Sequence, residues 1–330
     1  MISRRGFVGF GILLVLLAAA GAVWTSYARD MAAARDALVI GKPQVIASRF
    51  GDLEFAIAGT GKPLLMIHGA GGGYDQSLFF AQRLVEAGYQ VIAPSRFGYL
   101  GSALPADASS ENQADAFVDL LDHLQIANLP VIGGSAGALS AVQLAIRHPE
   151  RVTALIPVVP IGYYEGYDSE AVTPPLLQMA MVTVLRSDFL FWLALTVSPD
   201  AVTGSVLATD PELVHSASTD EQARIAAVRR EILPVSERAR GIVNDTDLST
   251  HPYPVALEAI TAPTLIISSE DDKFGTAAVA RELAAGITGT QLLIFPEGGH
   301  VYVGHDAELF AAITAFLAST EQVSSALPGG

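Results

Sequence analysis

Short apolar segments recur along most of the chain and predict a sheet protein. Leu53, Phe55 and Ile57 alternate with more polar or small neighbours, which is typical of a half-buried strand. Continuous apolar runs bounded by Gly, Pro or Ser predict strands buried on both faces, at residues 64–67, 91–93, 130–132, 154–159, 264–267 and 292–295. Helical patterns lie between most of them, at 76–87, 111–125, 138–147, 277–285 and 307–317. The alternation predicts an α/β fold with a mostly parallel, doubly wound sheet.

The alternation stops between residues 161 and 262, where the pattern is mainly helical. A structureless loop of that length is uncommon in a folded domain, so we predict an inserted helical cap. Its most apolar stretch, residues 176–197, carries Arg186 and Asp188 in the middle. Burying these charges in lipid would be costly, so two cap helices meeting near Ser187 explain the stretch better than a membrane span.

The amino terminus carries a separate apolar signal. Residues 7–24 are apolar or small throughout and follow Arg4 and Arg5. The length is at the low edge of the roughly 17–25 residues that span a bilayer. With no comparable basic cluster after the run, we predict a membrane anchor helix with the folded domain outside the cytoplasm. An A-x-A pattern at residues 20–22 leaves a cleaved signal and a released protein as the alternative, and residues 3–7 partly match a twin-arginine export signal.

These patterns divide the chain into five parts. We predict a signal-anchor segment in 1–28, a stalk or linker in 29–43, an α/β core in 44–160 and 263–318, a helical cap in 161–262 and a flexible tail in 319–330.

Composition narrows the function classes. Acidic residues outnumber basic ones by 34 to 19, giving a net charge of −15, so nucleic acid is not an expected partner. The chain has no cysteine, which excludes disulfides, Cys-ligated zinc and thiol nucleophiles.

Residues 133–137 read G-G-S-A-G and place Ser135 between a predicted strand and a predicted helix. In a G-x-S-x-G turn of this kind the serine is strained and its hydroxyl stands above the sheet. Gly133 and Gly137 let strand and helix pass closely because they lack a Cβ. We therefore predict Ser135 as a nucleophile rather than as part of an ordinary tight turn.

A glycine-rich loop, H-G-A-G-G-G at residues 68–73, follows an earlier strand. Such loops expose backbone N–H groups, and we predict that the amides of Ala70 and Ala136 form an oxyanion hole. The G-K-[ST] ending of a phosphate-binding loop is missing. His68 is interpreted as structural, organising the loop.

A serine nucleophile needs a base, and His300 follows the last predicted strand in a glycine-containing loop. His305 is the nearest competitor. The base in turn needs a buried carboxylate. Glu270, Asp271 and Asp272 all follow a strand, and position within the turn favours Asp272, with Asp271 second.

Together these motifs resemble the α/β-hydrolase superfamily over residues 45–317. Its members place nucleophile, acid and histidine in that chain order, as Ser135, Asp272 and His300 stand here. Residues 133–152, which include H-P-E-R-V, are similar to the nucleophile region of capped members. Two departures are visible: Ser269 replaces the glycine of the acid turn, and Ser95 replaces the acid before R-x-G.

The resemblance implies a capped, esterase-like serine hydrolase acting through an acyl-enzyme, with no metal or organic cofactor. We predict a small to medium hydrophobic carboxylic ester as substrate, with Phe189, Trp192 and Leu195 of the cap lining its pocket. C–C bond hydrolases, proline-iminopeptidase-like amidases and cofactor-free haloperoxidases or perhydrolases use the same triad and stay open as alternatives. A non-catalytic binding protein on the same scaffold is a further alternative. The expected partners are a small-molecule substrate and, through the amino terminus, a lipid bilayer; the oligomeric state is left open.

Overall fold

The computed structural model describes residues 4–167 and 183–326, and the side chains within 13–167 and 183–322. In chain order the elements are α1 (Arg4–Ile40), β1 (Gln44–Ser48), β2 (Gly51–Ala58), β3 (Lys62–Ile67), α2 (Tyr74–Phe80), α3 (Gln82–Glu86), β4 (Tyr89–Pro94), α4 (Ser110–His123), β5 (Leu129–Gly134), α5 (Gly137–Arg147), β6 (Val152–Val158), α6 (Asp188–Val197), α7 (Pro199–Ser205), α8 (Pro211–Ser216), α9 (Thr219–Arg230), α10 (Ala239–Thr250), β7 (Leu265–Ser269), α11 (Thr276–Gly286), β8 (Gln291–Phe295) and α12 (Asp306–Ala326).

The strands of the described ranges form one eight-stranded sheet, ordered β1-β2-β4-β3-β5-β6-β7-β8. β2 is antiparallel to β1 and β4, and the other neighbours are parallel. The chain runs outward from β3 to β4 and then returns to β5 beside β3, so the order reverses there. Ligands bind at such a switch point, beyond the carboxyl ends of the strands. The mostly parallel α/β sheet is confirmed.

Helices cover both faces of the sheet. Leu65 and Ile67 of β3 belong to one buried cluster, which α4, α5 and α11 complete, whereas Leu64 belongs to a second cluster with α3 and α12. Adjacent residues of a strand point to opposite faces, so the two clusters lie on opposite sides of the sheet. This is why the central strands are apolar at nearly every position.

Three elements differ from the sequence prediction. β8, predicted at residues 292–295 as a strand buried on both faces, is an edge of the sheet, and Leu292 is 41% exposed. β1 was not predicted, because only Ile46 among its five residues is buried. The single helix expected at residues 76–87 is two helices, α2 and α3, separated at Ala81. An edge strand and a helix break both leave too little apolar periodicity to be recognised.

The amino-terminal segment is one continuous helix, α1, that covers both the predicted anchor and most of the predicted stalk. In the part of the chain that was searched, no helix is long and apolar enough to cross a membrane. The anchor helix is therefore not confirmed, and residues 7–12 of the apolar run fall outside the described side chains. The predicted stalk is docked rather than free, because Met31 is buried against the cap.

The insertion between β6 and β7 is helical in its described part, which contains α6 to α10. Ser187 caps the amino end of α6, where its Oγ accepts a hydrogen bond from the Leu190 N–H (3.4 Å). Residues 168–182, which include the first part of the apolar stretch 176–197, lie outside the described residues. At the carboxyl end, residues 319–326 continue α12 and residues 327–330 are not described; the flexibility predicted for 319–330 stays a prediction.

Candidate active site

Ser135 lies directly after β5 and has a backbone φ of 52°. This left-handed conformation is uncommon for a residue with a Cβ and is typical of a nucleophile elbow. Backbone hydrogen bonds hold it in place: its N–H donates to Val158 O (2.8 Å), and its carbonyl accepts from the N–H groups of Ala138 (3.0 Å) and Ile161 (3.2 Å). The strain is therefore maintained by the sheet and by the start of α5.

The glycine-rich loop approaches this turn closely. A Cβ on Gly137 would lie 2.5 Å from the carbonyl oxygen of His68, and a Cβ on Gly69 would lie 3.0 Å from the Cβ of Ser135. Both distances are shorter than ordinary van der Waals contacts, so glycine at these positions lets the loop reach the serine.

His300 joins Ser135 to Asp272. Its Nε2 lies 2.9 Å from Ser135 Oγ, and its Nδ1 lies 2.7 Å from Asp272 Oδ2. The three side chains come from the ends of β5, β7 and β8, so the sheet brings together residues that are far apart in the sequence. The nucleophile–base and base–acid distances are those that a Ser-His-Asp triad requires.

Asp272 is buried and well supplied with donors. Its Oδ1 accepts the Phe274 N–H (2.9 Å), and the Thr276 hydroxyl donates to Oδ2. Burial alone would raise the pKa of this carboxyl, but the His300 charge and the hydrogen bonds from His300, Thr276 and Phe274 hold the pKa below its ordinary value. Asp272 is therefore ionised at neutral pH and orients the imidazole.

The other two acids of the turn have different contacts. Asp271 accepts the N–H groups of Gly298 (3.3 Å) and Gly299 (2.8 Å), so it holds the loop that carries the histidine. Glu270 forms an exposed ion pair with Arg281 (2.5 Å). The contacts thus separate three acids that sequence position alone could only rank.

The two remaining histidine candidates make other contacts. His305 stacks on the ring of Phe295 at a centroid distance of 4.2 Å. His68 is buried, its Nε2 accepts the Arg96 N–H (2.9 Å), and its Nδ1 lies 2.7 Å from Gly69 O. Burial and the nearby Arg96 charge hold the pKa of His68 well below its ordinary value, so it is neutral and organises the loop.

Ala70 and Ala136 line the same cavity as Ser135 and His300. Ala136 follows the nucleophile and stands at the amino end of α5, where backbone N–H groups lack intrahelical partners. On either side of Ala70, the N–H of Gly69 donates to Gln76 Oε1 (3.1 Å) and that of Gly71 donates to Tyr99 Oη (3.3 Å). These contacts fix the loop and are compatible with the predicted oxyanion hole.

Sequence reasoning missed two buried ion pairs between the cap and residues that adjoin or support this loop. Arg96, after β4, donates from Nη1 and Nη2 to Asp245 of α10 at 2.6 and 2.5 Å. Arg238, whose side chain is fully buried, pairs with Asp75 (2.6 Å) and donates to Gly72 O (2.7 Å). The R-x-G motif pointed to Arg96, but its cap partner has no motif around it.

The cap also contacts the loop that carries His300, and the sequence did not indicate this either. From α9, Arg224 donates to Val301 O (2.7 Å), and its guanidinium lies 5.0 Å from the ring centroid of Tyr302. Glu221 accepts the Gly304 N–H (2.9 Å). The cap therefore holds both catalytic loops.

The predicted substrate residues Phe189, Trp192 and Leu195 are not among the described residues that line the cavity at Ser135. They lie on α6, which packs on α1: Trp192 Nε1 donates to Asp30 Oδ2 (2.9 Å), and Phe189 contacts the ring of Tyr27 edge-on at 5.3 Å. α6 also contributes Phe191 and Trp192 to the buried cluster of the cap, so helix packing explains its apolarity, and the three predicted residues are not part of the described cavity lining.

The cavity at Ser135 has a volume of about 610 Å³, and the described residues that line it are mostly apolar. Asp245 and Lys273 are the acidic and basic residues of that described lining, which also includes His68 and His300. Among the described residues, no group of three or more His, Asp or Glu side chains could hold a metal ion. The site therefore suits an uncharged, largely apolar ligand.

Comparison with known proteins agrees with this arrangement. The family model described as alpha/beta hydrolase fold matches residues 62–303. An uncharacterized hydrolase of Bacillus subtilis (strain 168) is 29% identical over 286 residues, covering 82% of this chain and 96% of its own. The 2-hydroxy-6-oxononadienedioate/2-hydroxy-6-oxononatrienedioate hydrolase of Paraburkholderia xenovorans (strain LB400) is 32% identical over 270 residues, covering 78% and 87%.

Among solved structures, an alpha/beta hydrolase fold protein from Nakamurella multipartita aligns with a TM-score of 0.66 and 26% identity, covering 83% of this chain and 98% of its own. The resemblance drawn from the motifs is thereby confirmed. By its sheet, by the family match and by these relatives, the chain belongs to the α/β-hydrolase fold family.

Proposed function

We propose that the protein is a serine hydrolase that cleaves a carboxylic ester of a largely apolar substrate through an acyl-enzyme. His300 takes the proton of Ser135, and the serine oxygen attacks the ester carbonyl. The amides of Ala70 and Ala136 stabilise the oxyanion of the tetrahedral intermediate. His300 then gives the proton to the leaving alcohol, and Asp272 stabilises the imidazolium meanwhile.

The second half of the reaction uses the same groups. Water enters beside His300, which removes its proton while the oxygen attacks the acyl carbonyl. The intermediate collapses, Ser135 recovers its proton from His300, and the carboxylic acid leaves. No step needs a metal or an organic cofactor.

One observation carries this proposal: His300 bridges the hydroxyl of Ser135 and the carboxylate of Asp272 at 2.9 and 2.7 Å. A fluorophosphonate probe tests it, because the probe labels only an activated serine. The wild type should label and hydrolyse p-nitrophenyl butanoate, and Ser135→Ala should do neither. Equal labelling of both proteins would contradict the assignment of Ser135.

C–C bond hydrolysis is the second candidate, since the Paraburkholderia relative is named for a dienedioate substrate. A dianion needs cationic partners, yet Lys273 is the one ammonium or guanidinium side chain among the described residues that line the cavity. Arg96 and Arg238 are already paired with Asp245 and Asp75. We therefore favour the ester, and turnover of a dicarboxylate C–C substrate faster than of any ester would reverse this preference.

We propose separately that the amino-terminal segment attaches the protein to a bilayer, with the catalytic domain outside the cytoplasm. The apolar run at residues 7–24 after Arg4 and Arg5 supports this, as do the exposed apolar side chains from Leu13 to Leu17. Expression of the full chain followed by alkaline extraction of membranes tests it. Recovery in the soluble fraction at full length would contradict attachment, and recovery of a shortened chain would indicate a cleaved signal.

A further inference from the structure

The cavity at Ser135 extends into the hydrophobic core beneath the histidine loop. We call this part the core arm and define it by Met66, Phe80, Ile132, Leu309, Phe310 and Ile313. These residues belong to, or pack against, the buried cluster between the sheet and α12. Ile132 lies on β5, three residues before Ser135, and lines the same cavity as Ser135 and His300.

A void at this place needs an explanation. Ile132, Leu309 and Ile313 are each 1% exposed, and protein cores are normally packed to the density of organic crystals. An unfilled space between such side chains lowers stability in proportion to its volume. Apolar surfaces bind water weakly, so an apolar ligand group suits this space better than water does. The described cavity lining also includes Ser77 and Tyr302, whose side chains carry hydroxyl groups.

The far side of the cavity is different. Tyr164, Tyr167, Thr246, Ser249, Thr250 and Lys273 line it, and we call this part the outer arm. Each of these residues is at least partly exposed, and all but Lys273 carry a hydroxyl group. Ser135 and His300 belong to the same cavity lining, so one ligand can occupy both arms while contacting the catalytic pair.

Resting on the proposed function, we propose that the core arm is the acyl-chain site and that the substrate is an ester of a medium- to long-chain aliphatic acid. The acyl group stays covalently bound to Ser135 after the first step, so its chain can occupy an enclosed arm. The alcohol must leave and water must enter before the second step. Both can use the outer arm, whose side chains are polar and exposed.

Chain-length dependence tests this proposal. The probes are p-nitrophenyl acetate, butanoate, octanoate and dodecanoate, with kcat/KM measured for each. Every methylene that enters the core arm should raise kcat/KM by up to about fourfold, which corresponds to the ~0.8 kcal/mol of a buried methylene. The wild type should therefore prefer octanoate or dodecanoate to acetate.

A variant that fills the core arm separates chain binding from catalysis. Ile313→Phe adds volume from α12, away from Ser135, and should lower kcat/KM for dodecanoate by about tenfold or more while changing acetate by about twofold at most. Phe310→Ala, which enlarges the arm, should retain the preference for long chains. Phe189→Ala is the matched control on α6, outside the cavity lining, and should leave the whole profile unchanged. A wild-type profile that falls beyond acetate, or an equal loss on all esters in Ile313→Phe, would overturn the proposal.

Binding measured without turnover keeps this result independent of the proposed function. Ser135→Ala should bind dodecanoate more tightly than butanoate by calorimetric titration, and Ser135→Ala/Ile313→Phe should lose that difference. Circular dichroism shows whether each variant is folded. If the Ile313→Phe variant is not folded, Ser135→Ala/Phe310→Ala provides a second test, because it should still bind dodecanoate more tightly than butanoate. Absence of ester turnover in the wild type, together with tighter binding of dodecanoate than of butanoate, would reject the esterase and keep the chain site. Equal affinity for the two acids in Ser135→Ala would reject the chain site itself.

Discussion

Ser135 can adopt its strained backbone only because the residues around it leave room. Gly133 would place a Cβ 2.6 Å from the Cβ of Ala141, and Gly137 would place one 2.5 Å from His68 O. Gly134 is different, since a Cβ there would have Ile67 O, at 3.9 Å, as its nearest neighbour. The two glycines of the G-x-S-x-G motif, Gly133 and Gly137, are therefore required by contacts on both sides of the serine. Gly134, at the first x position, has room for a larger side chain.

This difference gives a matched pair of variants. Gly137→Ala should lower the free energy of unfolding by about 1–3 kcal/mol and kcat by about 100-fold, because the loop that carries Ala70 must move away from Ser135. Gly134→Ala should change stability by no more than about 0.5–1 kcal/mol. Urea unfolding and p-nitrophenyl ester kinetics measure both effects. Similar results for the two variants would show that the loop does not depend on close approach at Gly137.

The acid turn makes a second residue-scale prediction. Asp272→Asn should lower kcat by about 10³–10⁴-fold, because an amide can stabilise the wrong tautomer of His300 and carries no charge. Asp271→Asn should cost about tenfold at most, since its carbonyl can still accept the N–H groups of Gly298 and Gly299 and such a bond contributes about 0.5–1.5 kcal/mol. Steady-state kinetics of the two variants decide between them. If kcat fell further in Asp271→Asn than in Asp272→Asn, Asp271 and not Asp272 would be the acid that orients His300.

How far the sequence predicts the site differs from residue to residue. Ser135 and His300 each follow a predicted strand in a recognisable turn, so local pattern is enough to select them. For the acid, position within the turn only ranked Asp272 above Asp271, and the contacts of the folded chain were needed to separate them. Phe189, Trp192 and Leu195 were selected for apolarity alone, and apolarity does not say which surface a helix covers. The contact between α6 and α1 determines which surface α6 covers, and nothing in the sequence around α6 indicates this contact.

At the scale of elements, the cap holds the catalytic loops in addition to covering the cavity. Arg224 and Glu221 of α9 contact the histidine loop, and Arg238 and Asp245 contact the glycine-rich loop or the residues behind it. The strands of the core could be predicted from the sequence, because each is a short apolar run bounded by Gly, Pro or Ser. These cap contacts could not be predicted, because hydrogen bonds and ion pairs between segments 77 to 166 residues apart leave no periodic pattern in the sequence.

Arg224 allows the role of the cap to be measured. Arg224→Ala removes the hydrogen bond to Val301 O and the contact with the Tyr302 ring, so His300 should be less well positioned and kcat should fall by about 10–100-fold. The rate of fluorophosphonate labelling should fall with it, because labelling reports activation of Ser135 without an ester pocket.

A second arginine of the same helix is the control. Arg229 donates to Thr203 Oγ1 (2.7 Å) within the cap and does not contact the histidine loop. Arg229→Ala should therefore affect the stability of the cap and leave the labelling rate within about twofold. A tenfold change in that rate would require about 1.4 kcal/mol in activation free energy, which this contact within the cap does not supply. Equal slowing in both variants would mean that Arg224 acts on the cap as a whole.

At the scale of the whole molecule, α1 is part of the folded protein and not an appendage. Tyr27, Met31 and Ala34 pack in the cluster that forms the cap core, and Asp30 accepts the hydrogen bond from Trp192. Near the end of the helix, the Tyr74 hydroxyl donates to Leu38 O and so joins α1 to α2. The apolar run at residues 7–24 was visible in the sequence, whereas this docking was not, because the apolar residues of the predicted stalk do not indicate which surface the helix covers.

The docked half of α1 should therefore contribute to stability whether or not the apolar half is present. In a chain that begins at residue 26, Met31→Ala should lower the free energy of unfolding by about 2–5 kcal/mol, because Met31 is 2% exposed and its loss leaves a void against the cap. Val39→Ala is the control on the same helix, where 73% of the residue is exposed, and should change stability by about 0.5 kcal/mol at most. Because the cap holds both catalytic loops, Met31→Ala should also lower esterase activity at temperatures where the control remains fully active. If the two variants unfold at the same urea concentration, α1 does not brace the cap, and the contacts of Met31 and Trp192 contribute nothing to the folded state.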